Sequence, residues 1–355
     1  MDLAKLGWTE FFQQHFEPHA AAGLSAGRVV AGHRGGFSVV GATGELHAEV
    51  SGKFRYLTKA PGDYPAVGDW VAMEVFQTEE KALIQGVLPR RTKISRMTAG
   101  GVMDEQVLAS NVDEVFIVAS LGGDMNARRV ERYLAMAWES GALPVVVLTK
   151  ADLCEDVAAA VQAVESIAGG AVVHAVCALT GRGLRDLRPS LKPASTVVLL
   201  GPSGVGKSTL INQLYGDEVL PTLPVREEDQ KGRHTTTVRE MIQLPSGALV
   251  IDTPGLRELG LWESSEGVEA AFEDVETIGT RCRFTNCCHE NEPGCAVRQA
   301  IEDGELEAAR LAGYHKLVKE QAHFARQQNA RAQAEERRRI KSATRHLRSF
   351  HQSEE

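Results

Sequence analysis

No stretch of this chain approaches the length of a membrane span, and residues Met1 to Phe16 carry charges instead of the apolar core of a secretion signal. Membrane-spanning and secreted classes are set aside, and the chain is expected in the cytoplasm. Cysteine is scarce. Six in 355 residues do not make a disulfide framework, and four of them crowd between Cys282 and Cys295. No internal repeat is evident. A strong net charge is also missing, since the formal value is −8 at pH 7. That value hides an asymmetry: Arg326 to Arg348 holds eight Lys/Arg against Glu335 and Glu336. An acidic body with a basic tail points to local contact with a polyanion, not wholesale electrostatic binding.

The length sets an expectation of two or three domains with ample chain for a core. Residues 1–30 read as a short helix and a lead-in. From Arg34 to Ile94 come short β-rich stretches: Phe37–Val40, Leu46–Val50, Asp69–Val75 and Ala82–Val87. Several short strands with turn signals predict a small barrel, oligonucleotide-binding or SH3-like. Apolar runs then alternate with helical patterns. The runs are Val112–Ala119, Pro144–Leu148, Ala171–Val176, Thr196–Leu200 and Ala248–Asp252; the helices are Ala127–Glu139 and Glu155–Ala168. That alternation predicts a parallel α/β sheet covered on both faces. Beyond Gly255 the sheet signals stop, and a helix, a Cys/His knot and a long Ala/Glu/Arg-rich helix follow. The expected domains are 1–92 (helix and barrel), 93–262 (α/β) and 263–355 (mainly helical, with the knot and the basic tail).

Gly201-Pro202-Ser203-Gly204-Val205-Gly206-Lys207-Ser208 follows an apolar strand, and Thr209 continues into a helix start. Glycines let consecutive backbone N–H groups face phosphates at the positive end of a helix. Lys207 is expected to reach the β- and γ-phosphates, and the Ser208 hydroxyl to bind Mg²⁺. Asp252-Thr-Pro-Gly255 follows about fifty residues later. There Asp252 would hold Mg²⁺ through water and the Gly255 N–H would meet the γ-phosphate. Between them, Lys231-Gly-Arg-His-Thr-Thr-Thr237 occupies the place of a switch loop, where Thr235 or Thr236 completes the Mg²⁺ shell.

A guanine-type block, Thr149-Lys150-Ala151-Asp152, stands about fifty residues before the phosphate loop instead of after it. The blocks of a GTPase are thus present in circularly permuted order. Asp152 can accept from guanine N1–H and the exocyclic amine, a donor pair adenine does not present. Charge-assisted bonds of this kind contribute roughly 1.5–3 kcal/mol each, enough to reject adenine nucleotides. Lys150 is placed over the ring, and Cys177-Ala178 follows a strand where a backbone N–H meets the base oxygen. Two usual side chains are missing. Thr149 stands where Asn is usual, which predicts a weaker brace between loops. Leu256 follows Gly255 where many GTPases carry the water-orienting Gln. Slow intrinsic hydrolysis is expected, with His234 the internal candidate catalytic residue.

Cys282, Cys287, His289 and Cys295 supply three thiolates and an imidazole within fourteen residues, a donor set that tetrahedral Zn²⁺ takes in closed, structural sites. Cys288 directly follows Cys287 and is left out of the shell. Because the chain runs from Gly255 straight into this domain, the γ-phosphate signal has a short covalent route there.

The permuted order, Gly232-Arg-His-Thr-Thr-Thr237, the Cys₃His knot, Leu88-Pro-Arg-Arg91, Asn111-Val-Asp-Glu-Val115, Phe284-Thr-Asn-Cys287 and Glu292-Pro-Gly-Cys295 together resemble one family. It is the bacterial ribosome small-subunit-dependent GTPase A family, and the resemblance spans essentially the whole chain. It implies an oligonucleotide-binding barrel, partnership with the 30S subunit and its 16S rRNA, and subunit-stimulated GTP hydrolysis to GDP during late subunit maturation. Lys53, Arg55, Tyr56 and Lys59 around Phe54 form a basic cluster suited to RNA, as does Arg337-Arg-Arg-Ile-Lys341 in the tail. A monomer is expected. The other readings are an RNA-binding protein that uses nucleotide only structurally, and a GTPase that handles zinc.

Overall fold

The computed structural model describes residues 2–33, 35–76, 79–97, 105–122, 125–217, 219–220, 239–252, 268–269, 271–319 and 322. Five strands close the N-terminal barrel: β1 (Ser25–Gly32), β2 (Phe37–Gly41), β3 (Gly44–Val50), β4 (Trp70–Phe76) and β5 (Lys81–Val87). Neighbours run β1-β2-β3-β5-β4, and β4 returns to pair with β1. Only β3 and β5 pair in parallel. Between β3 and β4 the chain forms helix α2 (Gly52–Leu57), capped by the Ser51 hydroxyl accepting from the Phe54 N–H at 3.1 Å. This connectivity decides for the oligonucleotide-binding fold, an alternative that strand pattern alone left open.

The barrel begins earlier than the strand signals suggested. β1 reads Ser-Ala-Gly-Arg-Val-Val-Ala-Gly, and its small residues and arginine mask a strand. Packing explains the glycine: a Cβ on Gly27 would lie 2.5 Å from Val39 Cγ1 and 2.6 Å from Met73 Cε. Val29, Val39, Val71, Met73 and Ile84 fill the interior. Helix α1 (Glu10–Ala21) lays Phe12 and Phe16 onto the barrel, and Trp8 meets Trp70 edge-on at 4.7 Å. Arg28, only 1 % exposed, crosses out of the barrel to donate to the carbonyls of Leu6, Gly68 and Asn111 and to Thr196 Oγ1. Burial brings its guanidinium down to about 10, against the pull of Asp113 and Asp69.

A two-stranded ribbon, β6 (Lys93–Met97) with β7 (Glu105–Ser110), leads to the central sheet. There β8 (Glu114–Ser120), β9 (Leu143–Thr149), β10 (Val172–Ala175), β11 (Thr196–Leu200) and β13 (Leu249–Asp252) run parallel in the order β10-β9-β8-β11-β13. The near-continuous apolar runs of β8, β11 and β13 and most of β9 are buried, as both faces are covered, whereas edge strand β10 buries only Val173. Helix α3 (Ala127–Ser140) buries Val130, Tyr133, Leu134 and Ala137, a stripe at helical spacing, and ends at Gly141 in the left-handed region. Helix α4 (Val157–Glu165) precedes β10, and α5 (Lys207–Tyr215) follows β11. The short strand β12 (Glu240–Gln243) is antiparallel to β13 and joins barrel and sheet by pairing Glu240 with Ala31 of β1. Neither the ribbon nor β12 has an apolar run long enough to reveal it.

Beyond β13 the described residues form helices: α6 (Glu273–Gly279), α7 (Ala296–Glu302) and α8 (residues 308–319). Arg310 of α8 binds Glu131 of α3 at 2.9 Å and Asp274 of α6 at 2.9 Å, and lies 4.1 Å from the centre of the Phe272 ring. Among the described residues no helix is long and apolar enough to cross a membrane.

Candidate nucleotide and metal sites

The base block, the phosphate loop and Asp252 lie at the carboxyl ends of the parallel strands, where an open α/β sheet binds ligands. β11 ends at Leu200, and the loop Gly201–Gly206 turns into α5, whose first residues are Lys207, Ser208 and Thr209. A Cβ on Gly201 would lie 2.4 Å from the Val118 carbonyl oxygen, and Gly204 and Gly206 have φ of 81° and 98°, so side chains are excluded by space or by conformation. Val205 turns inward and is buried, as are Leu210 and Ile211, which anchor α5; Ser203 is exposed. The Lys207 ammonium folds over the loop and donates to the carbonyls of Gly201 at 2.7 Å and Pro202 at 2.9 Å. Burial lowers its pKa, while the charge of Asp252 works the other way. Asp252 comes within electrostatic reach because β13 pairs it with Leu199, two residues before Gly201.

Two strands away, β9 ends at Thr149. Lys150 adopts the left-handed region (φ 56°), and a tight turn, Ala151–Leu153, presents Asp152 to solvent. The Ala151 N–H is tied to the Val176 carbonyl at 3.2 Å, which brings Cys177 beside this turn. The Cys177 side chain, its own backbone N–H and Lys150 hold the Asp152 carboxyl below the usual range, so it is a ready acceptor. The Cys177 N–H is committed to the Arg182 carbonyl at 2.9 Å, which passes any backbone donation to a base on to Ala178 or beyond.

Thr149 keeps a tie to the phosphate loop without the usual amide: its hydroxyl lies 2.5 Å from the Val205 carbonyl and 3.1 Å from that of Ala119. The hydroxyl spans the gap because the phosphate loop comes close to β9. His234, Thr235, Thr236 and Gly255, as well as Leu256 and the covalent route from Gly255, lie outside the described residues.

The second site is the knot. The ligand atoms of Cys282, Cys287, His289 and Cys295 all lie within 4.8 Å of one another. His289 Nδ1 is 3.4 Å from Cys295 Sγ and 3.6 Å from Cys282 Sγ, and its backbone takes the left-handed region (φ 59°). Three sulfurs and one nitrogen converging in this way fit tetrahedral Zn²⁺. Cys288 is exposed and outside the cluster. Burial opposes ionisation of Cys282, but the N–H groups of Val297 and Ala296 together with the Cys287 and Cys295 thiols hold it below its ordinary value. Cys287 is pushed up by burial to about 11. A cation is what would relieve this crowding of thiolates.

Sequence reasoning named Glu292 only within Glu292-Pro-Gly-Cys295 and gave it no role of its own. Its carboxylate accepts from the N–H groups of Cys288 at 3.0 Å, Glu290 at 2.9 Å and Asn291 at 3.0 Å, which bring it down to about 2. His315 and Lys319 of α8 clasp the same loop through the Cys288 carbonyl and the Glu290 carboxylate. No local pattern announces such a loop-bracing carboxylate.

A family model described as RsgA GTPase matches residues 87–262. The small ribosomal subunit biogenesis GTPase RsgA of Opitutus terrae is 47% identical over 336 residues, covering 92% of this chain and 91% of its own. RsgA 2 of Lactiplantibacillus plantarum, described in the same words, is 43% identical over 323 residues, covering 91% and 90%. The crystal structure of YjeQ from Thermotoga maritima superposes with a TM-score of 0.62 at 28% identity, over 84% of this chain and 99% of that one. With its base block, phosphate loop and Asp252 meeting at one end of the sheet, and with relatives this similar along nearly all its length, the chain belongs to the RsgA family of GTPases.

Proposed function

We propose that this protein binds the 30S subunit through 16S rRNA in the cytoplasm, as a monomer, and hydrolyses GTP to GDP and phosphate during late subunit maturation. The reading rests on one observation above others: Asp152, Lys207 and Asp252 come to the same end of one parallel sheet although their order in the chain is permuted. Asp152 selects guanine, Lys150 covers the ring, and Ala178 offers its N–H to the base oxygen. Gly201 to Thr209 cradle the phosphates. Mg²⁺ is held by Ser208, by Asp252 through water and by Thr235 or Thr236, and it neutralises charge developing on the β- and γ-oxygens. His234 positions the attacking water that Leu256 cannot orient. Zn²⁺ on Cys282, Cys287, His289 and Cys295 holds the domain from 263 to 355, and the barrel domain extends to 92.

An RNA partner is supported by α2. This helix carries Lys53 and Arg55, with Lys59 just beyond it, and displays Tyr56, which is 85 % exposed. A basic surface with an aromatic face suits phosphate and base contact. The test is GTP turnover with and without purified 30S subunits, with ATP as control and the His234→Ala variant alongside. Turnover of GTP alone, raised by subunits and lost in the variant, is expected. Equal rates with and without subunits would refute the partner, and an unimpaired variant would remove His234 from catalysis.

A further inference from the structure

We infer that Arg96 and Arg239 together form a binding site for a backbone phosphate of an RNA partner, at the seam where barrel, ribbon and central sheet meet. The inference rests on the RNA partner proposed above. Arg239 stands just before β12, and its backbone is fixed by the strands around it. Its carbonyl accepts from the Gly32 N–H of β1 at 3.3 Å, and Glu240 after it pairs with Ala31 of β1 and Asp252 of β13. Its guanidinium is half-buried and reaches the ribbon, where Nη1 lies 3.5 Å from the Val107 carbonyl, the outer limit of a hydrogen bond. Arg96 is the diagonal neighbour of Val107 there, since Arg96 pairs with Gln106 and Ser95 with Val107. The Gln106 amide oxygen accepts from Arg96 Nε at 3.0 Å and steadies that guanidinium on the ribbon.

Two like charges are thus brought together without an acid to balance them. Among the described residues no carboxylate forms an ion pair with either guanidinium, and Glu105 of β7 is held by Lys93 at 2.7 Å. Burial and, after it, the positive charge of Arg96 bring the Arg239 guanidinium below its ordinary value. One anion between the two arginines offsets both effects, and the planar fork of donors on each matches phosphate oxygens. The surroundings say where that phosphate comes from. Gly62, three residues past Lys59, lies against the ribbon, since a Cβ on it would fall 2.4 Å from Glu105 Oε2. The basic surface of α2 therefore adjoins the ribbon, and an RNA strand that follows Lys53, Arg55 and Lys59 brings its phosphates to the arginine pair.

The experiment titrates full-length wild type, Arg96→Gln, Arg239→Gln and the double variant against 30S subunits and against protein-free 16S rRNA, over a series of KCl concentrations. Each single variant is expected to bind both targets about tenfold more weakly. The slope of log affinity against log salt should fall by about one, the signature of a single lost phosphate contact. Because both arginines hold the same phosphate, the double variant should bind within about twofold of the weaker single one. Three results each overturn the inference: wild-type affinity in the variants, weaker binding at an unchanged salt slope, or a loss confined to subunits, which would place a protein acid at the pair. Circular dichroism checks folding; if Arg239→Gln is unfolded, Arg96→Gln carries the same criteria. A wild-type protein that binds neither subunits nor rRNA sinks the RNA partner as well, whereas normal wild-type binding beside unaffected variants sinks only this site.

Discussion

Asp152 stands in solvent on a tight turn, with its carboxyl held in the ionised form by its neighbours. Replacing it by Asn puts an amide where guanine presents two donors. With two charge-assisted bonds of roughly 1.5–3 kcal/mol each at stake, Asp152→Asn is expected to weaken GTP by at least about a hundredfold. A xanthine nucleotide, which offers a carbonyl in place of the exocyclic amine, should become the better ligand. Competition against mant-GDP measures both, and retained GTP affinity in the variant would remove Asp152 from base recognition. At this scale the blocks themselves were legible, since a phosphate-loop pattern and a carboxylate in a base-type block are short-range patterns. Thr149 shows the limit. Its departure from the usual amide was visible, but the tie its hydroxyl makes to Val205 was not, because that distance is set by strand packing.

Among elements, the apolar runs predicted the parallel strands well because all but edge strand β10 lie buried between two layers of helix. β1, β12 and the β6–β7 ribbon escaped because neither small residues nor short mixed stretches carry a period. Arg310 of α8 is the joint between the C-terminal helices and the central domain; it is 5 % exposed and meets Glu131 and Asp274. Removing one partner of a buried ion pair strands the other, at a cost of about 3–5 kcal/mol. Arg310→Met is therefore expected to lower the urea midpoint by that much stability, and Arg310→Met with Glu131→Leu to recover a good part of it. A double variant as unstable as the single one would show that the cost lies in lost packing instead of stranded charge.

For the molecule as a whole, metal removal separates its parts. A chelator should release one zinc per chain, and amide exchange over α6, α7 and the loop between them should accelerate, because the bound metal supplies the folding energy of so small a unit. The affinity for mant-GDP should change by less than about twofold, while the proposed stimulation by 30S subunits should be lost. Unaltered exchange over 273–302 after complete zinc release would show that the cluster is not structural.

Taken alone, the order of residues supplied the permuted GTPase blocks and the Cys/His donor set, on which the proposed contacts to phosphate, guanine and metal rest. These are properties of neighbours in the chain, carried by backbone conformation and donor type over a few positions. Only the tertiary structure decided how the parts meet. Barrel connectivity, the pairing of Ala31 with Glu240, the insertion of Arg28, the Arg310 joint and the reach of Thr149 all depend on contacts between residues far apart in sequence. Such contacts are selected by the packing of whole elements, and no local pattern encodes them.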